Sequence, residues 1–380
     1  MILDYDTLKL IWWVLIAVLL IGFALTDGYD MGAGVLLPII GKNDTERRVL
    51  LNTLAPHWDG NQVWFVTGAA GLFAAWPPVY AAGFSSFYLV LLATLFALLL
   101  RPSAFEYRSK HNHPRWRGTW DWLLFVGSGF PALIFGAAFG NLFLGVEFTL
   151  ADDMRPTPSG TLLGQFHPFA LLASVVGLSM LVVHGACWYG LRTEGELRQR
   201  ADRAARTVAA IVIVSFMLAG AWLAVGIDGY RILSIPPVDL ALTPLQKTVE
   251  IAQGAWLDNY TRHPWTWVAP LSGVLGATAV LYFAGRGSGT AAFVSSSASI
   301  VGIIFSAGIS LFPFILPNRT QPNASLTVWD ATSSHMTLSL MFWAVVIFLP
   351  IVLAYTYWAF RVMWRRMTND VVAEETRSLY

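Results

Sequence analysis

The chain has 380 residues, of which 56% are hydrophobic and 12% charged, against about 25% charged in an ordinary soluble domain; its mean hydropathy is +0.58, which excludes a single soluble globule. A formal net charge of +1 excludes an overall electrostatic grip on nucleic acid. The lone cysteine, Cys187, excludes an internal disulfide, a cysteine-based zinc cluster and an iron–sulfur site built by this chain alone.

Apolar runs long enough to cross roughly 30 Å of hydrocarbon recur along the sequence. They predict an all-α polytopic membrane protein, one integral membrane domain over 1–380. Nine spans fall near 8–36, 52–75, 78–100, 121–145, 163–189, 205–226, 264–285, 290–315 and 336–362. The first run follows Asp4 and Asp6 rather than a basic segment, and no small-residue cleavage site comes after it, so it reads as a retained helix. The second is polar enough to escape hydropathy alone, and eight spans is the competing count. The segment 227–263, with Pro236, Pro237, Pro244 and a mildly amphipathic stretch from Leu245 to Leu257, is predicted as a periplasmic loop.

Charge selects nine spans, because Lys and Arg accumulate in short cytoplasmic loops. With the N-terminus periplasmic and the C-terminus cytoplasmic, 18 of the 24 Lys and Arg residues gather at one set of ends: positions 42–48, 101–117, 192–206, Arg286 and the tail with Arg361, Arg365, Arg366 and Arg377. Lys9, Arg155, Arg231, Lys247, Arg262 and Arg319 form the other set. Trp12, Trp13, Trp76, Trp265 and Trp267 fall at outer span ends and Trp120, Trp122, Trp188 and Trp364 at inner ones, where amphipathic rings are favoured. Interior packing is the competing role for several of them.

Ionisable groups at membrane depth cost several kcal/mol, so each is paired or functional. Asp27 and Asp30, three apart, share a helix face interleaved with Gly28, Gly32 and Gly34, a pattern for close helix contact. His57 and Asp59 follow Pro56 in the first turn of the second span, with Asn61 and Gln62 extending the polar surface. Two roles compete here: a proton path from the cytoplasm, or a polar cluster joining two helices with Arg101 and Arg108 as counter-ions. His184 is expected to be hydrogen-bonded across helices rather than bound to haem iron. The arginines of 192–206, interleaved with Glu194, Glu196 and Asp202, suit a solvated helix face or an anionic-lipid contact. No Walker loop, dinucleotide fingerprint, zinc-protease helix or nucleophile elbow is present.

Long motifs in fixed order carry a resemblance. They are Gly-Phe-Ala-Leu-Thr-Asp-Gly-Tyr-Asp-Met-Gly from Gly22, Asn-Asp-Thr-Glu-Arg-Arg from Asn43, and Ala-Pro-His-Trp-Asp-Gly-Asn-Gln-Val-Trp from Ala55. Arg101-Pro102, Tyr107-Arg108-Ser109-Lys110, Ala138 to Leu142, Gly226 to Tyr230 and Asn323 to Ser334 follow. Over essentially its whole length the chain resembles subunit II of cytochrome bd ubiquinol oxidase. That resemblance implies a multi-pass protein of the bacterial inner membrane, within a terminal oxidase that oxidises quinol and reduces dioxygen to water with cytoplasmic protons. It implies that a partner, subunit I, carries two b-type haems and one d-type haem, that this chain ligates none, and that it supports assembly. Small single-span accessory subunits and membrane lipid are further partners it suggests. Some members hold a structural ubiquinone in subunit II, and no motif here establishes one. Residue by residue, Asp59 matches the family acid of a proton pathway and Arg101 its electrostatic partner; Asp27, Asp30, His57 and Glu106 are secondary members, and Arg108 a second electrostatic support. From physics alone the alternative is a proton-coupled secondary transporter, whose site would lie between repeats or broken helices near the midplane.

Overall fold

The computed structural model describes residues 3–151, 153–234, 243–364 and 366–368. The predicted loop residues Pro236 and Pro237, and Arg365 and Arg377 of the basic tail, lie outside the described residues.

Thirteen α-helices carry the fold among these residues. In chain order they are α1 (Tyr5–Leu25), α2 (Asp27–Ile40), α3 (Asp44–Leu54), α4 (Trp58–Ala75), α5 (Pro77–Ser86), α6 (Tyr88–Tyr107) and α7 (Pro114–Leu144). Then follow α8 (Pro168–Arg192), α9 (Gly195–Gly226), α10 (Asp258–Arg262), α11 (Val268–Gly285), α12 (Gly289–Leu311) and α13 (His335–Val362). Eight helical segments are long and apolar enough to cross a membrane, with α1 and α2 counted as one. α4 is too polar for that class, yet it runs the length of the bundle antiparallel to α1. Its Trp64 sits against Gly22, its Gly71 against Ile16, and its last carbonyl, on Ala75, accepts from Ser333 N at 2.9 Å. Its polar first turn is tolerated because Trp58 and Asn61 are buried against protein.

Several predicted spans are shifted by local chemistry. The segment 78–100 is two helices, broken at Phe87: α5 packs on the loops at one end, and α6 makes the crossing. The break frees the Ser86 carbonyl, which accepts from Gln165 Nε2 at 2.8 Å. The segment 52–75 divides at Ala55-Pro56-His57 into the end of α3 and all of α4. α7 and α9 start about two and three turns before their predicted spans, the former from Pro114 at its first position, where a missing N–H costs nothing. The amphipathic stretch 245–257 contains strand β4 (Thr248–Gln253), paired antiparallel with β3 (Asp228–Ser234).

The two ends of the bundle differ. At one end three two-stranded antiparallel ribbons cover the helix termini: β1 (Phe148–Leu150) with β2 (Pro156–Pro158), β3 with β4, and β5 (Phe314–Leu316) with β6 (Leu326–Thr327). A buried pair, Lys247 Nζ to Asp330 Oδ2 at 2.8 Å, ties two of these loops. At the other end the basic loops meet: Arg47 and Arg108 on Asp121, Arg117 on Asp44, Arg200 on Glu46, and Arg366 on Glu194. The sequence division of cations therefore corresponds to two physical faces, a basic end and a ribbon end.

Between them the core is built on close backbone approach. A Cβ at Gly32 of α2 would stand 1.9 Å from the Leu181 carbonyl oxygen of α8, and one at Gly185 of α8 would stand 2.2 Å from Ala33 N. Trp12, Trp76 and Trp188 are buried rather than interfacial. Trp188 stacks on Tyr29 at 4.1 Å and donates from Nε1 to the Thr53 carbonyl at 3.3 Å, so packing has claimed it.

Candidate functional site

The polar cluster forms where one long helix is interrupted. At Thr26 α1 ends and α2 begins on a distorted helical turn, φ −100° and ψ −73°, with the Thr26 N–H still donating to the Gly22 carbonyl at 3.0 Å. Thr26 Oγ1 donates to the same carbonyl at 2.7 Å, and the Leu25 carbonyl faces His184 Nε2 at 3.0 Å. The other ring nitrogen of His184 lies 2.8 Å from Ser296 Oγ on α12, and the ring stacks on Phe293. With both nitrogens held by protein, His184 does not fit an axial haem ligand. Among the described residues no group of three His, Cys, Asp or Glu side chains could hold a metal ion.

α2 begins at the break, so Asp27 and Asp30 occupy its first turn, where the helix dipole favours negative charge. Asp27 is gripped by Arg101 of α6, Nη1 to Oδ2 at 2.8 Å and Nη2 to Oδ1 at 2.6 Å, both side chains 1% exposed. This bidentate fork is the strong geometry for a guanidinium and a carboxylate. Asp30 has different company. Its Oδ2 accepts from Asn61 Nδ2 at 2.7 Å, and the same amide donates to Tyr29 Oη at 2.8 Å. Asp30 Oδ1 is buried with no hydrogen-bond partner among the described residues. Asn61 thus links α4 to Asp30 and Tyr29 of α2.

The remaining predicted residues separate. His57 is buried at the start of α4, its ring stacked 4.0 Å from Phe360 of α13, and its Nε2 has no hydrogen-bond partner among the described residues. Asp59 is exposed, on the outward face of α4 that also carries Val63, Val66 and Phe73. Glu106 is exposed near the end of α6. Arg108, expected as a counter-ion for the membrane acids, instead binds Asp121 (Nε to Oδ1, 2.6 Å) and Asp44 (Nη2 to Oδ1, 2.9 Å). The reason is position: Arg108 lies two turns beyond Arg101, level with the basic loops. Asp121 was not singled out from sequence, although a lone acid among so many loop cations was a signal that it would be buried between them. Tyr29 is the other contributor not singled out, since it carries no charge to draw attention, whereas Asn61 was expected as part of the polar surface of the second span.

Residues 8–363 match the family model described as cytochrome bd terminal oxidase subunit II. The chain is 47% identical over 378 residues to cytochrome bd-I ubiquinol oxidase subunit 2 of Escherichia coli, with 100% of both chains covered. It is 31% identical to cytochrome bd ubiquinol oxidase subunit 2 of Bacillus subtilis, over 94% of this chain and 96% of that one. Its fold matches a chain of the bd oxidase from Geobacillus thermodenitrificans with a TM-score of 0.70 and 16% identity, over 94% of this chain and 98% of the other. Together with the multi-pass helical architecture, a family match over nearly the whole length means that the chain belongs to the cytochrome bd terminal oxidase subunit II family.

Proposed function

We propose that this chain scaffolds the haem-bearing subunit I of a bd-type quinol oxidase, which holds two b-type haems and one d-type haem, and supplies part of a cytoplasmic proton route through Asp59. In this reading the basic end faces the cytoplasm of a bacterial inner membrane and the ribbon end faces the periplasm.

The observation that carries the reading is the exposure of Asp59 on an otherwise apolar outer face. A carboxylate turned toward hydrocarbon is costly, so a protein partner is the physical cover for that face. Beside it, α13 packs chiefly along α1, and among its residues only Leu338 is buried. The stacking of His57 on Phe360 joins the start of α4 to the far end of α13, so the two helices offer one continuous face to subunit I. Asp59 then lies between that partner and the inner cluster, two positions before Asn61, whose amide holds Asp30. Asp27, held in its ion pair by Arg101, serves as fixed polarity near the route, while Asp30, His57 and Glu106 remain candidates for transfer.

Replacing Asp59 with Asn tests the reading directly. Quinol-driven oxygen consumption should fall while haem content and subunit stoichiometry stay normal. Undiminished turnover in an intact, fully haem-loaded complex would remove Asp59 from the route and leave the scaffold role alone.

A further inference from the structure

The structure sorts the arginines of 192–206 into those already engaged and those left facing outward. Arg192 is buried between the rings of Trp188 and Trp364, 4.9 and 4.7 Å from their centroids. Arg198 donates to the Gly287 carbonyl and pairs with Asp202 at 3.7 Å. Arg200 is held by Glu46 and by the Ile40 carbonyl. Arg203 and Arg206 remain, three apart on one exposed face of α9, and neither has an ion-pair partner among the described residues.

A third cation joins them from another helix. Arg206 lies over Gly285 at the end of α11, its Nε 3.6 Å from where a Cβ would stand. The next residue, Arg286, is exposed, covers the Tyr282 ring at 4.1 Å, and also has no acidic partner among the described residues. The nearest acids in sequence are turned elsewhere: Glu196 toward Arg200, and Asp202 toward Arg198 and Gly190 of α8.

Depth gives this cluster its meaning. The uncharged run from Thr207 to Gly226 is about 30 Å long at 1.5 Å per residue, so Arg203 and Arg206 sit at its rim. Arg286 stands at the matching rim of α11, and Tyr282 is an aromatic at interfacial depth. Below the cations, α9 and α11 pack together, Phe216 beside Gly273. They expose Val214, Met217 and Leu218 on one helix and Leu271 and Leu275 on the other.

We infer that Arg203, Arg206 and Arg286 form a headgroup site for an anionic phospholipid whose acyl chains lie along the exposed apolar surface of α9 and α11. Three guanidiniums supply bidentate donors for a phosphodiester, and among the described residues no carboxylate is paired with them. Each cation near a membrane surface is worth about a fivefold gain in binding an anionic lipid. The site rests on the membrane-spanning fold and is independent of the proton route.

The test uses the whole oxidase assembly, extracted in mild detergent and titrated with equal amounts of phosphatidylglycerol and phosphatidylethanolamine, with bound lipid counted by native mass spectrometry. The unsubstituted assembly should hold one more phosphatidylglycerol than one carrying Arg203→Gln, Arg206→Gln and Arg286→Gln. The midpoint should rise about tenfold or more in the triple variant. Replacement of all three by Lys should keep it within about fivefold, since charge is preserved. If the triple Gln variant does not assemble, Arg286→Gln alone should still lose about fivefold. Equal retention by the unsubstituted and Gln assemblies, equal binding of phosphatidylethanolamine, or loss of a small polypeptide instead of a lipid would overturn the site.

Discussion

Arg101 and Asp27 meet through two parallel hydrogen bonds of 2.8 and 2.6 Å across the gap between α6 and α2, with both side chains withdrawn from solvent. The pair joins the third crossing helix to the break in the first, so its loss acts on packing as well as on charge.

Removing one partner leaves the other charge buried and alone, a change that costs on the order of 3–5 kcal/mol. Arg101→Met should therefore sharply lower the thermal stability of the detergent-solubilised assembly. Adding Asp27→Leu to it should recover much of the loss. A double variant as unstable as the sum of the two single ones would show that the pair is not what holds the helices.

Asn61 donates to both Asp30 and Tyr29 from one amide nitrogen. Asn61→Leu strips both acceptors of that donor in a buried site and should cost about 1–3 kcal/mol. Asn61→Asp supplies no amide donor and sets a second carboxylate beside Asp30, so it should be the more damaging of the two. Melting curves of the two variants, read side by side, check the order.

Gly32 offers a test of backbone approach. A methyl there would fall 1.9 Å from the Leu181 carbonyl oxygen, and backbone cannot swing aside as a side chain would. Gly32→Ala should destabilise by about 1–3 kcal/mol and lower the yield of assembled protein. Gly83→Ala is the control, because nothing lies within 4 Å of the added carbon, and it should behave as unsubstituted protein.

At the basic end, hydrogen bonding from Arg200 holds the Glu46 carboxyl below its ordinary value of 4.5. A carboxyl with a lowered folded-state pKa contributes stability that is complete above its unfolded value and is lost as pH falls through the folded one. Stability measured from pH 6 down to pH 3 should decline less steeply in Glu46→Gln than in the unsubstituted protein. Parallel declines would show that the Glu46–Arg200 contact is not linked to folding.

The transport reading asked for a broken helix, and the chain has one at Thr26, although hydropathy gave a single run over 8–36. The polar groups there are held by His184 and by the Thr26 side chain. Hydropathy could not reveal the break, because the apolar run resumes after Asp30 and the intervening acids are buried.

What the sequence determined by itself was the solvent and the grouping of the helix ends; of its nine spans, eight correspond to described helical segments long and apolar enough to cross a membrane, and α4 falls short of that class by its polarity. Those follow from quantities summed over many residues: apolar length against bilayer thickness, and cations counted loop by loop. It also marked the acids, since a charge in a hydrophobic run is conspicuous wherever the run folds. Tertiary structure alone decided what each acid meets. Asp27 is locked to Arg101, Asp30 rests on Asn61, Arg108 is drawn off to Asp121, and Asp59 faces out of the bundle. These distinctions depend on helix rotation and on contacts between residues 13 to 74 positions apart, which no count along the chain contains.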